Sequence, residues 1–276
     1  MMSTGELSLA VVGHVEWVTF VLVDKMPMQG VISHGKSIKE HAAGGGAVAA
    51  VQMSTLTNHK VHFFTSLGKD EIGEKCAQEL RSFGIEMHIA WRDKPTRRGI
   101  SFVGKNGDRA ITVIGERLEP CIKDSLKWDL LKIMDGVFIT AGDAKTIQYC
   151  RKAKIVCATP RVKIISLNQA NIRLDALIGS NLDPDEKNSL KALTAKPRFT
   201  IMTEGSRGGI IEPGGRYKAI VLTKKEIDSY GCGDSFAAGV TTGLAANWDI
   251  TKAINLGANC GAECATRFGP YNKKKI

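Results

Sequence analysis

Residues 228–239 read Asp228-Ser229-Tyr230-Gly231-Cys232-Gly233-Asp234-Ser235-Phe236-Ala237-Ala238-Gly239. A Gly-x-Gly turn runs directly into a helical pattern of small residues. The first amides of a helix have no partner within it, and they carry the positive end of its dipole. Glycines let such a turn approach an anion closely, so the segment is suited to cradle a phosphate. Asp234 stands in the same turn. One reading makes it the N-cap of the helix. The other makes it a base, placed to take a proton from a hydroxyl that attacks a phosphoryl group held by the loop. Spacing alone leaves both open, because Gly-x-Gly-Asp is not a rare string.

Helical patterns over residues 234–246 and 250–265 close the chain. Upstream, short apolar runs at 7–13, 61–67, 136–140, 162–167, 176–179 and 199–203 read as buried strands, with helical patterns over 46–56 and 70–83. Alternation of this kind implies an α/β fold whose mostly parallel sheet is covered on both faces. Two stretches break the pattern. Residues 16–34 have little helical period and contain Pro27 and Gly30, and residues 98–114 read as a hairpin around Asn106-Gly107. Together they are expected to form a small antiparallel sheet projecting from the main body. No repeat or linker divides the 276 residues, so a single domain over 1–276 is expected, with lid segments near 16–34 and 98–114.

Lys and Arg number 38 against 28 Asp and Glu, a net charge of +10, which favours anionic partners such as nucleotides and phosphorylated metabolites. Part of the excess lies in Asn272-Lys273-Lys274-Lys275-Ile276, read as a solvated tail. No basic helix or RNA-binding motif accompanies the charge, and aromatics are sparse, so nucleic acid is not an expected partner. No apolar run is long enough for a membrane span, and none at the start resembles a secretion signal. The seven cysteines are scattered without a CxxC pair, which suits a reducing cytoplasm. Cys260 and Cys264 read as small helix-packing residues, and no H-x-E or H-x3-H pair offers a metal site.

The 228–239 segment resembles the C-terminal signature of the ribokinase-like (PfkB) carbohydrate kinases, D-T-x-G-A-G-D-x-F-x-x-G. Asp228, Gly231, Gly233, Asp234, Phe236 and Gly239 match it, with Ser229 in place of Thr and Cys232 in place of Ala. Residues 43–50 (AGGGAVAA) resemble the family's N-terminal Gly-Gly signature, 67–73 its G-x-D-x-x-G, and 203–209 its T-x-G-x-x-G nucleotide loop. Ala258-Asn259 resembles the small-residue segment beside the adenine pocket. The resemblance implies a ribokinase-like three-layer sandwich with a mostly parallel central sheet and a small β lid. It implies an ATP- and Mg²⁺-dependent kinase acting on a hydroxyl of a small sugar, sugar-like or nucleoside-like molecule, and it allows a homodimer through the lid. By carry-over Asp234 is the base, and Gly231, Cys232 and Gly233 supply amides to the developing charge. Asn181, Thr203, Gly205, Gly208, Asp228 and Asn259 fall on the nucleotide side, and Gly44 and Gly45 on the substrate side.

Several positions depart from the family's pattern. Where the family often has N-x-x-E, whose Glu organises magnesium through water, Asn181 is followed by Leu182-Asp183-Pro184. Asp183-Pro184-Asp185-Glu186 reads better as a helix start, with Asp as N-cap and Pro at the first position. Asp183 or Glu186 as a shifted magnesium ligand is the other reading. The usual sugar-binding Asp is replaced by Val18, and the usual Asn by Val48 or Ala49. Glu16, His14, His41, Asp143 and Arg109 are candidate replacements, as is an anionic group on the acceptor that meets Arg98 or Arg109. Asp143 is singled out because it follows a buried strand at an edge where α/β ligands bind. These departures keep a second reading open, a nucleotide-binding regulatory protein that retained the fold and lost efficient catalysis.

Overall fold

The computed structural model describes residues 3–222 and 224–272. The chain runs β1 (Leu9–Val12), β2 (Glu16–Val23), β3 (Gly35–Ala43), α1 (Gly45–Ser54), β4 (His62–Gly68), α2 (Glu71–Ser82), β5 (Glu86–Arg92), β6 (Arg98–Val103), β7 (Arg109–Ile114) and β8 (Gly136–Ile139). It continues through α3 (Ala144–Cys150), β9 (Ile155–Ala158), α4 (Ile164–Ala170), β10 (Ala176–Ser180), α5 (Pro184–Ser189), β11 (Phe199–Thr203), β12 (Gly209–Glu212), β13 (Gly215–Tyr217), α6 (Cys232–Ala245) and α7 (Ile250–Ala265).

Nine strands form one sheet in the order β13-β12-β11-β10-β9-β8-β1-β4-β5. It is parallel from β11 to β5, and only the pairings of β12 with β11 and with β13 are antiparallel. All four residues of β1 are buried, as a strand covered on both faces requires. Leu9 and Val11 join a core with Val48 of α1, Leu80 of α2, Val240 of α6 and Ile254 of α7. Ala10 and Val12 face the opposite way, into a core with Ile147 of α3 and Leu167 of α4. This is the three-layer sandwich implied by the sequence.

The small residues of α6 and α7 explain how closely those helices pack. A β-carbon at Gly239 would lie 2.7 Å from the Gly257 Cα. Capping follows the sequence at α2, where Asp70 accepts from the Gly73 amide, and at α7, where Asp249 accepts from Lys252.

Four strands in the order β3-β2-β6-β7 form a second sheet, the lid. It corrects two expectations. The sheet is mixed rather than antiparallel, because β2 pairs with β6 in parallel. Its second arm, β3, begins at Gly35, beyond the expected boundary at residue 34. Much of β3 is exposed and polar, so apolar alternation is weak there. The hairpin of β6 and β7 stands as expected.

A third correction concerns residues 162–167. They are not a strand but lead into α4, and the strand is the preceding β9. Val162 and Leu167 are buried while Ile165 is 64% exposed, a helical rather than an alternating pattern. A six-residue apolar run cannot be assigned by hydrophobicity alone, and β9 itself is only four residues long. The last four residues of the lysine tail lie outside the described residues. No helix among the described residues is long and apolar enough to cross a membrane.

Candidate active site

From β1 the chain builds β4 and β5 on one side, then returns to build β8 to β11 on the other. The carboxyl ends of β1 and β8 therefore diverge at a topological switch point, where open α/β sheets bind ligands. Gly13 and Thr140 meet there so closely that a β-carbon at Gly13 would overlap Thr140 Oγ1. Above this point lies a cavity of about 740 Å³, bounded by the lid and lined by His14, Glu16, Arg97, Thr140 and Asp234 among others.

The turn before α6 closes one side of the cavity. Gly231 has φ +79° and is the N-cap of α6, which starts at Cys232. Asp234 is therefore in the helix's first turn and not its N-cap, so the capping reading does not hold. Ser235 N–H donates to Gly231 O, but the amides of Gly233 and Asp234 find no acceptor among the described residues. A β-carbon at Gly233 would meet nothing within 4 Å. These amides open onto the place where the first cavity meets a second, of about 500 Å³. Thr203, Gly205, Ser229, Cys232 and Gly233 line both.

Asp234 points into the first cavity, and its carboxylate makes no hydrogen bond among the described residues. Burial pushes its pKa up to about 6, opposed by the nearby Arg161 guanidinium and assisted by Glu186. Beside it, His14 is buried, with Nδ1 3.4 Å from Thr140 Oγ1. Burial, then Arg117, Arg97 and Arg161, holds the imidazole pKa well below its usual value, so His14 is neutral. The Glu16 carboxylate accepts from the Tyr230 hydroxyl at 3.2 Å and lies 3.3 Å from Arg97 Nε. Burial raises its pKa against the pull of Arg97. The Tyr230 hydroxyl also accepts from Gly44 N–H at 3.1 Å, which ties the Gly-Gly turn to the loop before α6.

Of the other expected nucleotide-side residues, Thr203, Gly205 and Gly208 line the second cavity. Gly208 has φ +84°, and a β-carbon there would overlap Tyr217 O. Three residues are placed elsewhere. The Asp228 carboxylate is fully buried and accepts from the amides of Tyr230 and Gly269, so it braces the loop from behind. Asn181 donates to Glu204 at 3.1 Å, and Asn259 is exposed and donates to Asn255 O at 2.7 Å.

On the substrate side the structure brings together Glu16, Gly44, Gly45, Arg109 and His14. Asp143 is instead the N-cap of α3, accepting from the Thr146 and Ile122 amides outside both cavities. Its signal, a polar residue after a buried strand, belongs equally to a helix start. His41 pairs with Glu79 at 2.7 Å, and Arg98 is exposed away from the cavity. Sequence reasoning missed Arg97, Arg117 and Arg161, which line the cavity. Arg161 lies three residues beyond β9, and finding that strand would have exposed it.

Asp183 caps α5, with Pro184 at its first turn. Asp183 and Glu186 both engage Arg161, at 2.7 and 2.5 Å. Glu16 is likewise committed to Tyr230 and Arg97. Among the described carboxylates of the cavity only Asp234 is unpaired, so they form no cage for Mg²⁺, which keeps several waters and binds through one or two carboxylates and substrate phosphates. Among the described residues one trio of ligand-type side chains does come together, His62, Glu86 and His88, on β4 and β5. It escaped the sequence motifs because strand pairing, not sequence spacing, assembles it. Its imidazoles are 3.1 Å apart in a mutual hydrogen bond and line neither cavity.

The sequence pattern of the pfkB family carbohydrate kinases matches residues 6–135 and 152–276. The chain belongs to this family. A ribokinase from Dictyostelium discoideum is 34% identical over 112 residues, covering 40% of this chain and 35% of its own length. An ATP-dependent ribose-1-phosphate kinase from Halopiger xanaduensis is 22% identical over 277 residues, covering 93% of this chain and 91% of its own. Among solved structures, a ribokinase from Arabidopsis thaliana complexed with ribose and ATP superposes with a TM-score of 0.71. It is 16% identical and covers 96% of this chain and 94% of its own. At that identity the likeness is one of fold. Within the pfkB family frame, Val18 and Val48 are buried and line neither cavity. A β-carbon at Gly231 would come 3.0 Å from Val48 Cγ1, so Val48 packs beneath the loop.

Proposed function

We propose that this chain transfers the terminal phosphoryl group of ATP to a hydroxyl of a small sugar, sugar-like or nucleoside-like acceptor. The observation that carries the proposal is Asp234, an unpartnered carboxylate with a pKa near 6, beside free helix-terminal amides at the junction of two cavities. In this reading the nucleotide occupies the 500 Å³ cavity, with its phosphates reaching the amides of Gly233 and Asp234. The acceptor occupies the 740 Å³ cavity beneath the lid.

The acceptor oxygen loses its proton to Asp234 as it bonds to phosphorus, and the bond from phosphorus to the ADP oxygen breaks. The amides stabilise the charge that gathers on the phosphoryl oxygens. A raised carboxylate pKa brings the base closer to working pH and strengthens its pull on the proton. Mg²⁺ arriving on the triphosphate would neutralise phosphate charge; no residue here is assigned as its ligand. The same proposal includes a homodimer through the lid, supported by the exposed Ile32, Ile38 and Ile114 on that sheet and its loop, and light scattering tests it.

A regulatory nucleotide-binding protein is the second reading. It is favoured by the commitment of Asp183 and Glu186 to Arg161. One experiment separates the two: ATP consumption measured against a panel of sugars, sugar phosphates, sugar acids and nucleosides. A strong acceptor-dependent rate supports the kinase. ATP binding without turnover on any acceptor supports the regulator.

A further inference from the structure

We propose that the acceptor is itself an anion, a sugar phosphate or sugar acid whose charged group is held by Arg117 and Arg97 at the root of the lid. The inference rests on the kinase reading for the word acceptor, but its physical basis is separate.

Arg117 follows β7 and is half-buried in the cavity wall. Its one hydrogen bond among the described residues runs from Nη1 to Arg161 O, at 3.0 Å. No described carboxylate lies within ion-pair distance of it. The nearby Glu119 is engaged by Lys163 at 3.6 Å. Arg97, just before β6, is the second half of the site. Its Nε is buried without a hydrogen bond. The Glu16 carboxylate is near it at 3.3 Å but is shared with Tyr230.

Two guanidinium groups thus stand close together in a partly desolvated wall, and one of them has no counter-charge. Burial, and then the charge of Arg97, pulls the Arg117 pKa below its usual value. A buried charge left unpaired is strongly unfavourable, and a planar fork of donors matches a carboxylate or phosphate. The remaining arginines of the cavity are either paired or exposed to solvent, as Arg109 is. Arg161 holds Asp183 and Glu186, and Arg109 donates to Ser229 Oγ.

Position decides which substrate supplies the anion. Arg97 and Arg117 line the lid-side cavity and are absent from the nucleotide-side one. An anion there belongs to the molecule beneath the lid and not to ATP. The cavity, about 740 Å³, also reaches Asp234, so the acceptor's charged group and its reacting hydroxyl have places in one space. A neutral sugar would enclose Arg117 without a partner, which selects against it.

The test is calorimetric binding without nucleotide, at fixed ionic strength. Inorganic phosphate, ribose 1-phosphate, ribose 5-phosphate and gluconate are compared, the organic anions each with an uncharged parent (ribose, or glucose for gluconate). At least one of these organic anions should bind 10- to 100-fold tighter than its parent. Arg117→Met should remove that preference while changing ATP affinity less than twofold, and Arg117→Lys should restore part of it. Phosphorylated anions and gluconate distinguish the two chemistries. The proposal is overturned if no anion outbinds its parent, if Arg117→Met leaves the preference intact, or if ATP affinity falls by the same factor. Should the methionine variant not fold, the wild-type comparison and the lysine variant still decide. An anion that binds while no acceptor in the ATP panel turns over would sink the kinase reading alone. Efficient turnover of a neutral sugar, with no anion preference, would sink this one alone.

Discussion

A β-carbon at Gly45 would lie 2.8 Å from Asp234 Oδ1. The first turn of α1 and the first turn of α6 therefore meet at a carboxylate, and the absence of a side chain on one leaves the other free. Gly45→Ala should displace Asp234 from the cavity floor without unfolding either helix. We expect kcat on the best acceptor to fall about 10- to 100-fold, the scale of a misplacement near 1 Å. ATP affinity should hold. Equal losses in nucleotide binding and turnover, measured side by side, would show that Gly45 serves some other purpose.

Asp234→Asn tests the base directly. The swap is nearly isosteric and removes the proton acceptor. Turnover should fall about 10²- to 10⁴-fold, the usual share of general base catalysis. ATP should still bind, because the loop amides are unchanged. A kcat within threefold of wild type would remove Asp234 from the chemistry.

The same substitution has a stability consequence with a definite sign. Burial raises the folded-state pKa of Asp234 to about 6, above its ordinary value of 3.8. Between these values the folded protein holds more protons than the unfolded chain, so this group's contribution to stability falls as pH rises. It is least favourable above pH 6, where the folded state must bury a charge. Asp234→Asn should therefore stabilise the fold at pH 7–8, on the order of 1–3 kcal/mol, and the gain should vanish towards pH 4. Urea denaturation of both proteins across that range measures it. A gain that does not change with pH would point to packing. In wild type the same titration should make kcat/KM fall as pH drops through about 6.

Much of the site was legible because a local string encodes it. Gly231, Gly233 and Asp234 of the candidate site lie in one turn and the helix that follows it, and both are written within a few residues. The fold was legible from the alternation of short apolar runs, such as the one ending at Gly13, with helical patterns, rather than from any single run. What sequence did not reveal is assembled by distance. Arg97, Arg117 and Arg161 come from three separate connections and meet only when the lid sits over the strand ends. The trio of His62, Glu86 and His88 arises from the register of β4 against β5. Asp143 misled because a helix cap and a ligand-binding carboxylate share the same place after a strand.

The two loop glycines should fail in different ways. Gly231 has φ +79°, and a β-carbon there would lie 3.0 Å from Val48 Cγ1 and 3.1 Å from Pro270 Cβ. Both the backbone conformation and the space exclude a side chain, so Gly231→Ala should destabilise the fold by about 1–3 kcal/mol. Gly233 has neither constraint. Its β-carbon would meet open space, and the residue lies inside α6, where valine is no worse than glycine. A side chain at 233 would instead project where the two cavities join, beside the free amides. Gly233→Val should thus keep its Tm within about 2 °C of wild type, because the change in stability is a few tenths of a kcal/mol, and still lose ATP affinity and turnover together. Calorimetry with ATP and a thermal melt on both variants give the comparison. Normal ATP affinity in a folded Gly233→Val protein would mean that the phosphates do not pass over this turn.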